Sequence, residues 1–155
     1  MEAVNHPIPP LFDASSRILI LGSFPSVKSR EGMFFYHHPQ NRFWKVLAGV
    51  LNEPLPGTIE EKKSFLLKNR IALWDVIASC SIEGSSDSSI RDVVPNDLSV
   101  ILSTADSRAI FCNGKTSWKA GEIPRISIEL AAEEDYYFGS ISSSNAHIRG
   151  AEYVS

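Results

Sequence analysis

One segment of the chain, residues 22–44, concentrates side chains that can hold a planar ring and the phosphates beside it. Gly22 and Pro25 make a tight, rigid turn at its start, and Ser23 between them can donate a hydrogen bond to a phosphate oxygen. Consecutive aromatic residues and surrounding basic residues follow; they are Phe34, Phe35 and Tyr36, with Lys28, Arg30, His37, His38, Arg42 and Lys45. Aromatic faces beside hydroxyl and basic groups are what a nucleobase and its backbone require. The segment is therefore a candidate nucleotide-binding site, although consecutive aromatics can also be ordinary core packing.

Three polar residues, Asn41, Asp75 and Asn113, each have a chemical and a structural interpretation. Asp75 ends an apolar run, where a carboxylate can act as a general base or stabilise a cation, or can simply bond the amides of the following loop. Asn41 precedes a helical pattern, so it can contact a ligand or cap the helix. Asn113 stands before Gly114, a pair that is more often a turn than a site. The residues alone leave these alternatives open.

Short apolar runs predict the strands that must position these groups. The predicted strands are 17–22, 71–76, 108–112 and 135–139, with 126–130 as a short companion. Continuous apolar runs of this length suit strands buried on both faces, as in parallel sheets. Helical patterns between them cover 41–51, 58–70, 96–104 and 116–121, with Asn41 and Asn96 as expected caps and Thr58 with Glu61 at capping-box spacing.

Alternating strands and helices predict an α/β domain with a mainly parallel sheet covered on both sides. Ligands of such sheets bind beyond the carboxyl ends of the strands. That rule selects the loops 23–40, 75–89, 113–115 and 140–147. The first of these is unusually long, which favours a functional role. Residues 1–16 read as a polar, proline-broken lead-in to a single domain that spans 1–155.

Composition excludes several classes of protein. The formal charge is −3 at pH 7, which argues against a polybasic binder while leaving room for a small basic patch. The two cysteines, Cys80 and Cys112, form no CxxC pair, so neither a disulfide framework nor a cysteine-rich zinc site is expected. No apolar run is long enough to span a membrane, and the N-terminus lacks the apolar centre of a signal peptide. A cytoplasmic protein is expected.

Longer motifs carry a resemblance to a known family. Residues 22–26 read Gly-Ser-Phe-Pro-Ser, and residues 36–44 read Tyr-His-His-Pro-Gln-Asn-Arg-Phe-Trp. Together they resemble the uracil-DNA glycosylase superfamily, and the second block resembles its mismatch-specific members. The likeness is greatest to the hypoxanthine-DNA (deoxyinosine) glycosylase branch, whose further motifs are matched by residues 73–76, 84–87, 95–98 and 111–115. The resemblance covers about residues 17–146.

The resemblance implies a fold, a reaction and a partner. The fold is a three-layer α/β/α sandwich around a four-stranded, mainly parallel sheet. The reaction is hydrolysis of the bond between a deaminated base, hypoxanthine or uracil, and its sugar, with no metal or other cofactor. The partner is single- or double-stranded DNA, whose target base must be turned out of the stack before it can be reached. No membrane partner is expected, and the protein is expected to act as a monomer.

The family's site residues carry over unevenly. Most members place a water-orienting Asn or Asp where Phe24 stands here, and a histidine at the position that matches Phe138. In the hypoxanthine branch the asparagine of the His-Pro-x-Asn block is implicated instead, which is Asn41. The resemblance therefore makes Asn41 an expected catalytic residue, and Asp75 is the other because it ends the second strand on the ligand side. The expected substrate and DNA contacts are Ser23, Phe24, Pro25, Tyr36, His38, Asn113, Ser140, Ser142 and Asn145.

The final loop and two rival functions qualify this prediction. Residues 138–147 match the family's Leu-Pro-Ser-Thr-Ser-Pro-Ala-Asn-Ala segment at Ser140, Ser142 and Asn145, but both prolines are replaced. Losing them raises the entropy cost of ordering the loop on DNA. One rival is a non-catalytic nucleic-acid-binding module that kept the fold and lost the chemistry. The other is a hydrolase of free nucleosides.

Overall fold

The computed structural model describes residues 3–39, 41–105, 107 and 109–113, together with the backbone of 137–142 and 147–149. Its strands are β1 (Ala3–Asn5), β2 (Ile18–Gly22), β3 (Ile71–Asp75), β4 (Ile77–Ser81), β5 (Arg91–Pro95), β6 (Ala109–Asn113), β7 (Tyr137–Ser142) and β8 (His147–Arg149). Its helices are α1 (Val27–Gly32), α2 (Phe43–Leu51), α3 (Ile59–Lys68) and α4 (Ser99–Leu102), with a 3-10 turn at Asp87–Ser89. The predicted helix 116–121 and strand 126–130 lie outside the described residues.

The main sheet has five strands in the order β3-β2-β6-β7-β8. The first four are parallel neighbours, and β8 adds an antiparallel edge to β7. The α/β class is thus as predicted, whereas a four-stranded sheet was too small an estimate. The last residues of β7 and the first residue of β8, His147, fall within 140–147, which we predicted as a loop.

Burial explains why the apolar runs formed the middle of this sheet. Every residue of β3 is buried, and so are four of the five residues of β2. Leu19, Leu21, Leu73 and Ile110 are completely enclosed. Burial of each such side chain contributes about 1.5–3 kcal/mol relative to exposure. The central strands are therefore fixed by the hydrophobic core, and their carboxyl ends are held at one edge.

A second, antiparallel sheet joins β1, β4 and β5. It corrects two predictions, because 1–16 contains a strand and the presumed loop 75–89 contains β4. Val4 of β1 lies opposite Cys80 of β4, and the amide of His6 continues the pairing by donating to the carbonyl of Ala78 at 2.8 Å. This sheet brings the start of the chain to the end of β3.

The starts of α2, α3 and α4 can be compared with the N-caps that the sequence predicts for them. Asn41 Oδ1 accepts from the amide of Phe43, the first residue of α2, at 2.9 Å, but Arg42 occupies the N-cap position without a side-chain cap bond, so the predicted cap at Asn41 is one residue too early. Thr58 caps α3 by accepting from the amide of Glu61 at 3.1 Å. The Glu61 carboxylate reaches back to the amide of Gly57 rather than that of Thr58, so the reciprocal half of the capping box is displaced by one residue.

The predicted cap at Asn96 is wrong. Leu98 occupies the N-cap position without a side-chain cap bond, and Asp97 before it accepts through Oδ1 from both the hydroxyl and the amide of Ser99; these bonds lower the pKa of Asp97. Asn96 instead donates from its amide nitrogen to the carbonyls of Asp75 and Ile77, at 2.8 and 3.1 Å. It thereby ties the end of β3 to the start of β4. In the part of the chain that the structure describes, no helix combines the length and apolar character of a membrane span.

Candidate functional site

A cavity of about 220 Å³ lies where β2, β3 and β6 end. Gly22, Asp75 and Asn113 are the last residues of these strands, and all three line it. Seven of the predicted site residues line the cavity: Ser23, Phe24, Pro25, Tyr36, Asn41, Asp75 and Asn113. The volume is below the roughly 300–1,000 Å³ typical of pockets for drug-sized ligands, which suits a group of one or two rings.

Asp75 is the carboxylate of this cavity, and a histidine holds it. His6 Nε2 lies 2.7 Å from Asp75 Oδ2, and the two side chains are only 4% and 5% exposed. The amide of Ile8 donates to His6 Nδ1 at 3.3 Å, so this nitrogen carries no proton. The proton therefore sits on Nε2, and a neutral imidazole donates to the carboxylate. This contact fixes the direction in which the other oxygen, Oδ1, points.

His6 was absent from the sequence prediction. It lies in the segment that we predicted as a lead-in, and it reaches the site only because β1 pairs with β4. The apolar residues Val4 and Ile8 on either side of His6 are the sole local signal that this stretch packs against the core. Because β1 and β4 are far apart in the chain, their pairing produces no local hydrophobic pattern from which it could be predicted.

Tyr36 and Asn113 form another wall of the cavity. The Tyr36 ring stacks on Phe43 with centroids 4.0 Å apart and 21° between the planes. Asn113 Nδ2 donates to the Tyr36 hydroxyl at 3.1 Å, so Asn113 has a structural role beyond a turn. Tyr36 has φ +50°, a left-handed conformation that costs a non-glycine residue about 1–2 kcal/mol. Such strain is typical of functional sites, where surrounding contacts enforce it.

Gly22 is the floor on which these groups meet. A Cβ at this position would overlap Asp75 Oδ1 and lie 2.9 Å from the Tyr36 hydroxyl oxygen. The absence of a side chain therefore lets the carboxylate and the phenol converge. The motif needs glycine here for close approach, not for an unusual backbone angle.

We expect Gly22→Ala to destabilise the fold by about 1–3 kcal/mol, because the added methyl must push away Asp75 or Tyr36. Chemical denaturation measures the loss. Gly49→Ala is the matched control: Gly49 lies within α2 with no atom within 4 Å of its Cβ position, so alanine there should stabilise by about 0.5–1 kcal/mol. A Gly22→Ala protein as stable as the parent would contradict the close packing described above.

Phe24 forms a wall of the cavity and does not fill it. Its ring is 8% exposed, meets the His6 ring edge-on at 5.8 Å, and lies under the Arg30 guanidinium at 5.6 Å. An aromatic at this position supports His6 but cannot orient a water molecule. The polar contribution must come from other residues of the cavity.

Asn41 is exposed at the mouth of the cavity. Its Oδ1 is committed to the amide of Phe43, and only the oxygen can accept that bond. Asn41 therefore bonds the first residue of α2 through its oxygen and keeps an NH₂ group that can donate.

The remaining predicted residues are not among the described residues that line the cavity. His38 is exposed and lines a separate groove next to the cavity. Ser140 and Ser142 belong to β7, where only their backbone is described, and Asn145 lies outside the described residues, as does the side chain of Phe138. In the described part of the chain no cluster of three or more His, Cys, Asp or Glu side chains could hold a metal ion.

Comparisons with known proteins agree with this geometry. A family model described as "Uracil DNA glycosylase superfamily" matches residues 9–148. A hypoxanthine DNA glycosylase of Methanosarcina acetivorans is 40% identical over 121 residues, which cover 77% of this chain and 75% of that protein. A hypoxanthine DNA glycosylase of Methanosarcina barkeri is 34% identical over 143 residues, covering 91% and 87%. A solution NMR structure of a candidate uracil DNA glycosylase from Methanosarcina acetivorans superposes with a TM-score of 0.74 at 32% identity, covering 92% and 85%.

Proposed function

Because the chain belongs to the uracil DNA glycosylase superfamily, we propose that it is a monofunctional DNA glycosylase that removes a deaminated base, hypoxanthine above all, from DNA. The observation that carries the proposal is the cavity at the strand ends, in which a buried carboxylate, an amide donor and aromatic walls converge. Two relatives that are similar over most of this chain are hypoxanthine DNA glycosylases, which supports the choice of base.

The cavity suits a base that has left the duplex. A glycosidic bond inside the stack is out of reach, so the nucleotide must rotate outward. Phe24, Phe35 and Tyr36 would provide flat or edge contacts for the ring, and Pro25 would keep the floor rigid. Ser23, with Ser140 and Ser142 from β7, would hold the flanking phosphates. Hydroxyls and backbone amides are suited to this role in a chain of net negative charge.

Asp75 would act on the sugar side of the reaction. As the bond from C1′ to N9 breaks, positive charge develops on the sugar, and an ionised carboxylate stabilises it. A water molecule then bonds to C1′ and gives up one proton, which Asp75 can accept as general base. That proton finally goes to the departing purine, leaving an abasic sugar with a hydroxyl at C1′. His6 keeps Asp75 in place by donating to Oδ2.

Asn41 would act on the base side. The oxygen of the Asn41 side chain bonds the start of α2, and its NH₂ group can donate to a nitrogen of the purine, such as N7. A hydrogen bond there stabilises the negative charge that the leaving base acquires. Purines offer this acceptor and uracil does not, which supports hypoxanthine as the preferred base. Phe24, by contrast, contributes shape alone.

The decisive test is excision from DNA. We expect purified protein to release hypoxanthine from duplexes with one deoxyinosine, detected as alkali-cleavable abasic product on a gel, and to act more slowly on deoxyuridine. A duplex with deoxyadenosine at the same position is the control. No product from either damaged duplex at excess protein would overturn the proposal. Competition by undamaged duplex separates a DNA glycosylase from a hydrolase of free nucleosides, since only the former is inhibited.

The acidic total charge and the aromatic residue at Phe24 favour one rival, a nucleic-acid-binding module without catalysis. This rival predicts specific binding of inosine-containing DNA with no abasic product.

Our proposal further includes the three-layer arrangement of helices around the main sheet, action as a monomer and a cytoplasmic location. The last is supported by Cys80 and Cys112, which are buried thiols rather than a disulfide.

A further inference from the structure

A second concavity, of about 260 Å³, adjoins the base cavity. The two share Tyr36 and Asn41, so these side chains separate one space from the other. The second concavity is also lined by three cationic residues, Arg42, Lys45 and Lys62, by His37 and His38, and by no carboxylate among the described residues. We call it the basic groove. In a chain of formal charge −3, such a concentration of positive charge calls for an anionic occupant.

Lys62 is the best defined cation of this groove. It projects from α3, and its Nζ lies 5.2 Å from the centroid of the Trp44 ring. The ion pairs among the described residues engage its helix neighbours instead: Lys63 with Glu60 at 3.9 Å and Lys68 with Glu53 at 3.1 Å. Partial burial lowers the pKa of Lys62, because the ammonium loses water contacts. An anion in the groove would compensate for that loss.

We propose that the basic groove binds phosphodiester groups of the DNA strand that carries the flipped nucleotide. This inference rests on the proposed function, because the base cavity fixes where that strand runs. A base that contacts Tyr36 and Asn41 lies against the wall that the two spaces share. The next phosphate along the same strand then meets the groove. Lys45 and Lys62 approach it from α2 and α3, so two helices grip one strand.

Charge removal at Lys62 and Lys45 tests the groove. Methionine keeps an unbranched apolar stem and removes the ammonium, which at Lys62 also removes the contact of Nζ with the Trp44 ring. Lys63→Met is the matched control, since it removes one charge from the same helix outside the groove. The ligand is a short DNA with one 2′-fluoro-deoxyinosine, which resists hydrolysis, prepared as a single strand and as a duplex. Fluorescence anisotropy gives Kd across a salt series.

We expect Lys62→Met and Lys45→Met each to raise Kd by about threefold to tenfold at low salt, with both forms of DNA. The slope of log Kd against log salt should fall by about 1 for each substitution with the duplex and by about 0.7 with the single strand. Lys63→Met should match the parent. Thermal unfolding of each variant establishes that the fold is retained.

Two results would overturn the inference. One is an equal change from Lys63→Met, which means that only the overall charge matters. The other is a change confined to the duplex, which assigns the groove to the complementary strand. Loss of affinity with unchanged single-turnover excision at saturating protein supports the groove and leaves the proposed function intact. A parent protein that shows the salt behaviour but never excises would refute the proposed function while the groove remains.

Discussion

Asn41→Ser is expected to lower the single-turnover rate of hypoxanthine excision by about 10²-fold or more, with little change in stability. A serine hydroxyl can accept from the amide two residues on in the same kind of turn, so the amide of Phe43 keeps an acceptor. The NH₂ group at the cavity mouth is lost, and removing one preorganised donor from a site of developing negative charge typically costs 10²- to 10³-fold. Excision is measured at saturating protein, and stability by denaturant unfolding.

Asn41→Ala separates the two roles of this residue. Alanine removes both the NH₂ donor and the oxygen that accepts from the amide of Phe43. Excision should therefore fall as in the serine variant, and the free energy of unfolding should drop by about 1 kcal/mol. Binding of inosine-containing DNA should persist in both proteins. If serine restores the excision rate that alanine loses, Asn41 acts only through the helix, and its proposed role at the base is wrong.

Asp75→Asn should lower excision by about 10²- to 10⁴-fold, the range expected for losing a general base or an ionised stabilising group. The substitution keeps the shape of the side chain, and the remaining carbonyl oxygen can still accept from His6 Nε2. The fold should therefore survive, which a thermal unfolding curve checks. Excision at the parent rate would exclude Asp75 from the chemistry.

His6 provides the control for Asp75. His6→Leu leaves a buried carboxylate oxygen without its donor, and we expect a loss of about 1.5–3 kcal/mol in unfolding free energy as well as slower excision. His6→Gln offers an N–H near the same place and should recover part of both. A glutamine variant no faster than the leucine variant, at equal stability, would show that His6 contributes packing alone.

The strands of the main sheet were predictable because each is a continuous apolar run that the core must enclose on both faces. β2 and β3 begin and end within one residue of the predicted bounds, and Gly22 ends β2 as expected. The bounds of β7 were predicted less well, because Gly139 and the serines that follow it have low strand propensity. Pairing with β6 overrides that weakness.

The site was predictable to the extent that it follows from strand ends. Asn113 and Asp75 come together because parallel strands finish at one edge, and the long loop after β2 supplies Tyr36. His6 could not be found in this way. Its approach depends on a strand of three residues paired far along the chain, which leaves no local pattern. The predicted cap at Asn96 was wrong for a related reason. The Asn96 side chain donates to the distant carbonyls of Asp75 and Ile77 and makes no bond to the start of the helix.

β1 is a three-residue edge strand, and His6, which bonds the Asp75 carboxylate, directly follows it. Short edges are where native proteins open most readily, by fraying that leaves the rest of the fold intact. Such an opening at β1 would separate His6 from Asp75. Under the proposed mechanism, the fraction of molecules able to excise a base would then be limited by how often this edge is closed. Slow amide exchange at His6, whose N–H bonds to Ala78, would report that closure directly.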